Sequence, residues 1–217
     1  MSPTDQDFLN YLEQFVTENK QRLIDEALNK RTRHITVVLE DIYQPQNASA
    51  VIRTCDCYGI QDVHIVEDRH VYNVNPRVVH GAAKWITLHR YNEDRNNSET
   101  CIQKLKKEGF KIVATVPKPD VTSIYDLDIS EKTAVVFGTE KHGISDYTLQ
   151  EADELVTVPM YGFTESLNIS VSAAICLSAI AEKLYKSDVN WQFEEKDKTL
   201  LRLSWYKNIV QRAELLE

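Results

Sequence analysis

The chain has 217 residues, enough for one well-buried α/β core with appendages and short for two independent domains. Its 33 acidic and 25 basic residues give a formal net charge of -8, which excludes indiscriminate coating of nucleic acid but leaves room for a local basic patch. There is no run of about eighteen apolar residues, and the start, Met1-Ser2-Pro3-Thr4-Asp5, is not basic and then apolar. Neither a membrane span nor a signal peptide is expected, and the expected location is cytoplasmic.

From Pro3 to Lys30, Phe8, Leu9, Leu12, Phe15, Val16, Leu23, Ile24, Ala27 and Leu28 recur at helical spacing behind Ser2 and Pro3. This predicts an amphipathic helical extension with room for one break. The pattern then changes to β-branched runs alternating with helices: a strand at 35–39, a helix at 47–58 closed by Gly59, and a strand at 63–66. A less regular stretch holding Pro76 and Gly81 precedes a strand at 86–89. A helix through 101–108, ended by Gly109, leads to a strand at 112–116. The next units are a strand at 134–137, a short helix at 145–152 capped by Ser145, a strand at 155–158 and a long helix at 168–186. A polar link then reaches a terminal helix around 198–216. Strands alternating with helices imply an α/β fold, a mostly parallel sheet with helices on both faces. The expected division is a helical extension at 1–33, an α/β domain at 34–186 and a second helical extension at 187–217.

Cys55, Cys57, Cys101 and Cys176 are scattered, and the first two fall on different faces of one helix, so no metal site is expected. Parallel sheets bind ligands at the carboxyl ends of their strands, and three segments sit there: residues 47–53, 137–145 and 158–175. The first strand is followed by Asp41-Ile42-Tyr43-Gln44-Pro45-Gln46-Asn47, which lacks the Gly-x-Gly-x-x-Gly of a Rossmann site. A nucleotide-like cofactor is therefore expected to be held by the later loops. In Phe137-Gly138-Thr139-Glu140-Lys141-His142-Gly143-Ile144-Ser145, two glycines around Glu140 permit special backbone angles or a close approach. In Pro159-Met160-Tyr161-Gly162-Phe163-Thr164-Glu165-Ser166-Leu167-Asn168-Ile169-Ser170, Ser166 and Asn168 can cap the helix that follows, whose small residues suit close packing. Arg53, flanked by Val51 and Ile52, is either a solvated surface residue or a fork for phosphate. Lys20, Arg22, Lys30, Arg31 and Arg33 form a basic cluster diluted by Asp25 and Glu26, readable as a solvated helix face or as an RNA contact.

In order and spacing these three segments resemble the signature motifs of the TrmH family in the SPOUT class of RNA methyltransferases, over roughly residues 35–185. The third is the most specific, matching at Pro159-Met160, Gly162 and Ser166-Leu167-Asn168-Ile169-Ser170-Val171. With helices at both ends and no larger N-terminal RNA-binding domain, the chain looks most like the subgroup that methylates the 2′-hydroxyl of a D-loop guanosine in tRNA. Ribosomal RNA or the anticodon loop as target, and a non-catalytic knotted RNA-binding protein, are the alternatives.

The resemblance implies a C-terminal deep trefoil knot, a rare exception to unthreaded chains, and S-adenosylmethionine as cofactor. It places cofactor contacts at Thr115, Gly138, Val158, Met160, Ser166 and Leu167, and functional roles at Asn47, Arg53, Glu140, Ser166 and Asn168. It also implies a homodimer whose active site is completed across the interface. The partner RNA is expected to meet Lys30, Arg31 and Arg33, with Arg53 at the reacting ribose. The extensions are less basic than a tRNA binder leads one to expect, the terminal helix mixing Lys196, Lys198, Arg202 and Lys207 with Glu194, Glu195 and Asp197.

Overall fold

The β-branched runs of the middle of the chain become seven strands of one parallel sheet. The structure, a computed structural model, describes residues 3–71, 81–93, 95–139, 141–210 and 213. Most of the expected irregular stretch around Pro76, and Glu140, lie outside the described residues. The strands are β1 (Ile35–Glu40), β2 (Asp62–Val66), β3 (Thr87–Tyr91), β4 (Lys111–Thr115), β5 (Thr122–Ser123), β6 (Thr133–Phe137) and β7 (Glu154–Thr157). Their order across the sheet is β3-β2-β1-β6-β4-β7-β5, every pairing parallel. β1 and β6 are buried along their whole length, as central strands covered on both faces must be. The helices of this unit are α3 (Pro45–Cys57), α4 (Asn97–Lys107), α5 (Asp146–Glu151) and α6 (Ile169–Tyr185). Val38, Ala114, Ala134 and Val136 of the sheet pack with Cys101, Ile102 and Leu105 of α4 and with Ile144 just before α5. At the alternate positions Val37, Leu39, Val113 and Val135 are equally buried. Ser145 caps α5, its Oγ accepting from Thr148 N at 3.2 Å.

The chain divides into two compact units, the sheet unit Arg33–Asn190 and a terminal unit formed by Met1–Thr32 with Trp191–Glu217. The terminal unit contains helices α1 (Pro3–Glu13), α2 (Glu18–Leu28) and α7 (Glu195–Ile209), so the break expected in the first helical stretch falls at residues 14–17. Its core joins Leu9 and Leu12 of α1 and Ile24 and Leu28 of α2 to Leu201, Trp205 and Tyr206 of α7. The α7 helix begins three residues before the expected 198, because Glu195 and Asp197 sit in a polar first turn that carries no apolar period.

A buried polar cluster on the β2–β3 edge links stability to pH. His64 is 3% exposed, stacks on His89 at a centroid distance of 4.5 Å and has Nδ1 3.0 Å from the Tyr91 hydroxyl. Burial, and then the neighbouring His89, lower its pKa to about 3. His89 Nε2 lies 2.8 Å from Asp62 Oδ1, and Arg33 Nε donates to Asp62 Oδ2 at 2.7 Å. Because the folded pKa of His64 lies below its unfolded value, the unfolded chain takes up the proton first. Stability is therefore full above about pH 6.5 and declines as pH falls towards 3. At pH 5 the loss from this one group is about 2 kcal/mol. Urea titrations at pH 7.5 and pH 5 should show a drop in His64→Phe smaller than in the parent by that amount. An equal drop in both proteins would remove His64 as the cause.

Candidate active site

The carboxyl ends of β4, β6 and β7 lie side by side, and the segments leaving them enclose a cavity of about 410 Å³. Thr115 and residues 116–118 line it from β4, Phe137 and Gly138 from β6, and Thr157, Val158 and Met160 from β7. Ser166, Leu167, Ile169, Ser172 and Cys176 complete it from the start of α6. All six residues to which the resemblance assigns cofactor contacts, Thr115, Gly138, Val158, Met160, Ser166 and Leu167, line this one cavity. Apolar side chains (Ile144, Leu149, Val156, Ile169) share the wall with hydroxyls (Thr139, Thr157, Ser166, Ser172), and Lys118, Lys141 and His142 are its basic members. Such a lining suits a nucleoside-bearing ligand of this size. Burial pushes the Cys176 thiol up to about 12, so at neutral pH it is an inert apolar wall and no nucleophile.

The loop after β6 is held shut by its own backbone. Thr139 N donates to Gly143 O and Gly143 N to Thr139 O, both at 2.9 Å, and Gly143 adopts φ +70°. Thr139 Oγ1 also accepts from Lys141 N and His142 N at 3.2 and 3.1 Å. A Cβ on Gly138 would stand 2.3 Å from Gly143 C and O and 2.4 Å from Ile144 N, so only glycine permits this closure. The loop is also pinned from beneath by Glu40, which is 3% exposed at the end of β1. Its carboxylate accepts from Ser145 N and Ser145 Oγ, each at 2.8 Å, and from Thr148 Oγ1 at 2.5 Å. Sequence reasoning missed Glu40. The available signal was an acid closing an otherwise apolar strand, where an unpaired charge would be costly.

Asn47 and Asn168 meet although 121 residues apart: Asn168 Nδ2 donates to Asn47 Oδ1 at 3.3 Å. Asn168 caps α6, its Oδ1 accepting from Ser170 N at 2.9 Å. The first and third motifs are thus joined at the mouth of two helices, and Ser166 lies on the cavity wall two residues away. Arg53 is placed otherwise. It is exposed on α3 and is not among the residues lining the cavity of its own chain. Six residues separate it from Asn47, which puts the two on different faces of the helix.

The three cations expected to meet RNA also differ in placement. Lys30 is exposed. Arg31 is 4% exposed, its guanidinium 5.2 Å from the Trp205 ring centroid inside the terminal unit. Arg31 is thus packed inside the terminal unit rather than presented at its surface. Arg33 is engaged with Asp62 in the sheet unit.

A seven-stranded parallel sheet with one crevice at the carboxyl ends of β4, β6 and β7, walled by a glycine-closed loop and a helix start, defines an α/β protein built to hold a nucleotide-like ligand. Residues 34–178 match the model of the SpoU rRNA Methylase family, and the chain belongs to that family. It is 41% identical over 209 residues to the tRNA (guanosine(18)-2'-O)-methyltransferase of Borreliella burgdorferi, covering 96% of this chain and 94% of that one. It is 37% identical over 161 residues to the Thermus thermophilus enzyme of the same name, covering 74% of this chain and 81% of that one. Among solved structures, the A. aeolicus TrmH/SpoU tRNA modifying enzyme superposes with a TM-score of 0.77 at 24% identity, over 89% of this chain and 98% of that one. The SpoU methyltransferase AviRb of Streptomyces viridochromogenes, solved with AdoMet, superposes with a TM-score of 0.60 at 18% identity, over 75% of this chain and 62% of that one. These two share the fold with the present chain.

Proposed function

We propose that this protein transfers a methyl group from S-adenosylmethionine to the 2′-hydroxyl of the D-loop guanosine of tRNA, working in the cytoplasm as a homodimer. The observation that carries the reading is the convergence of Thr115, Gly138, Val158, Met160, Ser166 and Leu167 on one cavity of ligand size. The relative named for methylating guanosine 18 of tRNA matches over nearly the whole chain, terminal helices included. These helical segments, 1–33 and 187–217, are read as extensions that help hold tRNA, with Lys30 and Arg33 the exposed members of the expected trio.

The cavity fits the methyl donor on its own terms. The backbone cradle at Gly138 leaves no room for a side chain, and hydroxyl and apolar groups share the wall. When bound, S-adenosylmethionine supplies an electrophilic methyl whose departure leaves a neutral thioether. The protein must hold the ribose oxygen in line with that methyl and help remove the hydroxyl proton. A guanidinium is a poor general base, so the part read for Arg53 is to orient the ribose and to stabilise the developing oxyanion. Asn47 and Asn168 fix the helix starts around the reacting centre, Ser166 shapes the pocket wall, and a role beside the cofactor is assigned to Glu140 by the family resemblance alone.

Two further observations support the dimer. Tyr161, Phe163, Leu167 and Val171 are 98%, 108%, 37% and 46% exposed around the start of α6, an apolar surface that a second copy would cover. Arg53, exposed and outside its own chain's cavity lining, is read as serving a partner's cavity. For the knot, the supporting feature is the order β4-β7-β5. The chain after β6 returns to enter between two strands laid down before it.

The deciding experiment is transfer of labelled methyl to unmodified tRNA transcripts with the product nucleotide identified. A 2′-O-methylguanosine in the D-loop is expected. Label in the anticodon loop or only in ribosomal RNA would move the target, and no transfer to any RNA would end the reading.

A further inference from the structure

The donor cavity has a basic rim. Lys118, Lys141 and His142 line it and are nevertheless exposed, so they stand at its mouth, while the buried Val156, Ile169 and Cys176 wall its interior. We propose that Lys118 anchors the carboxylate of the methionyl arm of S-adenosylmethionine, and is thereby the residue with which the cavity separates the whole donor from adenosyl compounds that lack that acid. The inference rests on the methyl-transfer reading above and adds to it a specificity-determining residue.

A nucleoside carrying an amino-acid arm sets one cavity two different tasks. Its adenosine can be buried against apolar and hydroxyl groups, but a carboxylate taken out of water without a partner is strongly disfavoured. The arm must therefore end at the mouth, against a cation. Many cations of this chain are already engaged: Lys106, Lys111, Lys186 and Lys198 are paired with Glu151, Glu154, Glu182 and Glu195, and Lys183 donates to Tyr125 O and Leu127 O. The Lys118 ammonium makes no hydrogen bond or ion pair among the described residues. Its charge is available to a ligand.

The backbone under Lys118 is stiff. Lys118 lies between Pro117 and Pro119. Each proline fixes its own φ near about -65°, and a residue that precedes proline is kept out of the helical region, so the tripeptide is an extended strut. Ahead of it, Thr115 Oγ1 donates to Val136 O at 2.8 Å and Val116 N to Val156 O at 2.9 Å. Behind it, β5 pairs with β7 and Ile124 N donates to Thr157 O at 2.8 Å. The arch that carries Lys118 is thus tied at both ends to strands whose carboxyl ends wall the cavity. A cation presented in this way loses less freedom on binding than one on a loose segment. Lys141 and His142 sit on the glycine-closed loop after β6, with no proline on either side.

The test is calorimetric binding, without RNA, of S-adenosylhomocysteine and of its decarboxylated counterpart, S-adenosyl-3-thiopropylamine, which differ in one carboxylate. Lys118→Met keeps an unbranched apolar stem and removes the charge. S-adenosylhomocysteine should bind this variant about tenfold more weakly than the parent, the share of one charge-assisted hydrogen bond. The decarboxylated ligand should bind both proteins within about twofold, which also reports an intact cavity. Lys118→Arg should regain most of the lost affinity, and Lys141→Met should keep the parental preference between the two ligands. Equal losses for both ligands, no loss for either, or a preference that disappears in Lys141→Met instead would overturn the proposal. So would a Lys118→Met protein weakened only towards tRNA, which would assign the lysine to an RNA phosphate. A parent that binds S-adenosylhomocysteine but methylates no RNA ends the methyl-transfer reading and leaves the two affinities to judge Lys118. A parent that binds neither ligand overturns the anchor.

Discussion

Arg53→Ala should lower the rate of methyl transfer by about 10²–10³ while leaving affinity for S-adenosylmethionine within about twofold. The separation follows from placement. Arg53 is exposed on α3 and does not line the donor cavity of its own chain, so truncating it removes nothing that holds the donor. On the proposed function, what it removes is a charged fork for the ribose oxygen, which matters most when negative charge develops there. Arg53→Lys should recover little, because a point charge does not reproduce the fork. Donor affinity by calorimetry and single-turnover methyl transfer read the two effects separately, and near-parental turnover would take Arg53 out of the chemistry. Co-expression of Arg53→Ala chains with chains disabled in the donor cavity adds a stricter test. If the guanidinium serves the other subunit, each mixed dimer holds one complete site, and random pairing restores about a quarter of parental activity. If it serves its own subunit, no dimer has a complete site and activity stays at background.

Gly138→Ala should weaken S-adenosylmethionine binding by at least about 100-fold, equivalent to about 2.7 kcal/mol, and lower stability by about 1–3 kcal/mol. The added methyl would collide with Gly143 C and O at 2.3 Å and with Ile144 N at 2.4 Å, all backbone atoms with no rotamer to change. Relief requires opening the paired Thr139–Gly143 hydrogen bonds, and with them one wall of the cavity. Gly143→Ala is the instructive contrast. Nothing lies within 4 Å of a Cβ there, so its cost comes from φ +70° alone, about 1 kcal/mol, and donor binding should survive in larger part. Equal donor affinity in the Gly138→Ala protein and the parent would show that the loop yields without harm.

The central strands were readable because β1 and β6 are β-branched runs buried on both faces, where the pattern needs no knowledge of neighbours. Two-residue β5 was not, since Thr122 and Ser123 carry no period and are a strand only by pairing with β7. The α4 helix starts at Asn97, before the expected 101, because its polar first turn is held by Asp68 from a distant loop. Distance in sequence also hid Glu40, whose partners lie 105 and 108 residues on, and Arg31, whose charge suggested solvent until Trp205 was seen beside it. The donor-cavity residues were legible through motif order, but their gathering on one wall depends on strand order, which local pattern does not encode. Arg53 was legible as a residue and not as a place.

The contact between Asn47 and Asn168 has a direction. Ser170 N gives its hydrogen to Asn168 Oδ1, Asn168 Nδ2 to Asn47 Oδ1, and Asn47 Nδ2 to Gln44 Oε1 at 3.5 Å. Because the first link is a helix cap, the amides downstream are oriented one after another, and the relay ends on the exposed Gln44 side chain at the head of α3. Aspartate at position 168 would still cap the helix, yet it would face Asn47 oxygen to oxygen and leave the sense of the relay undefined.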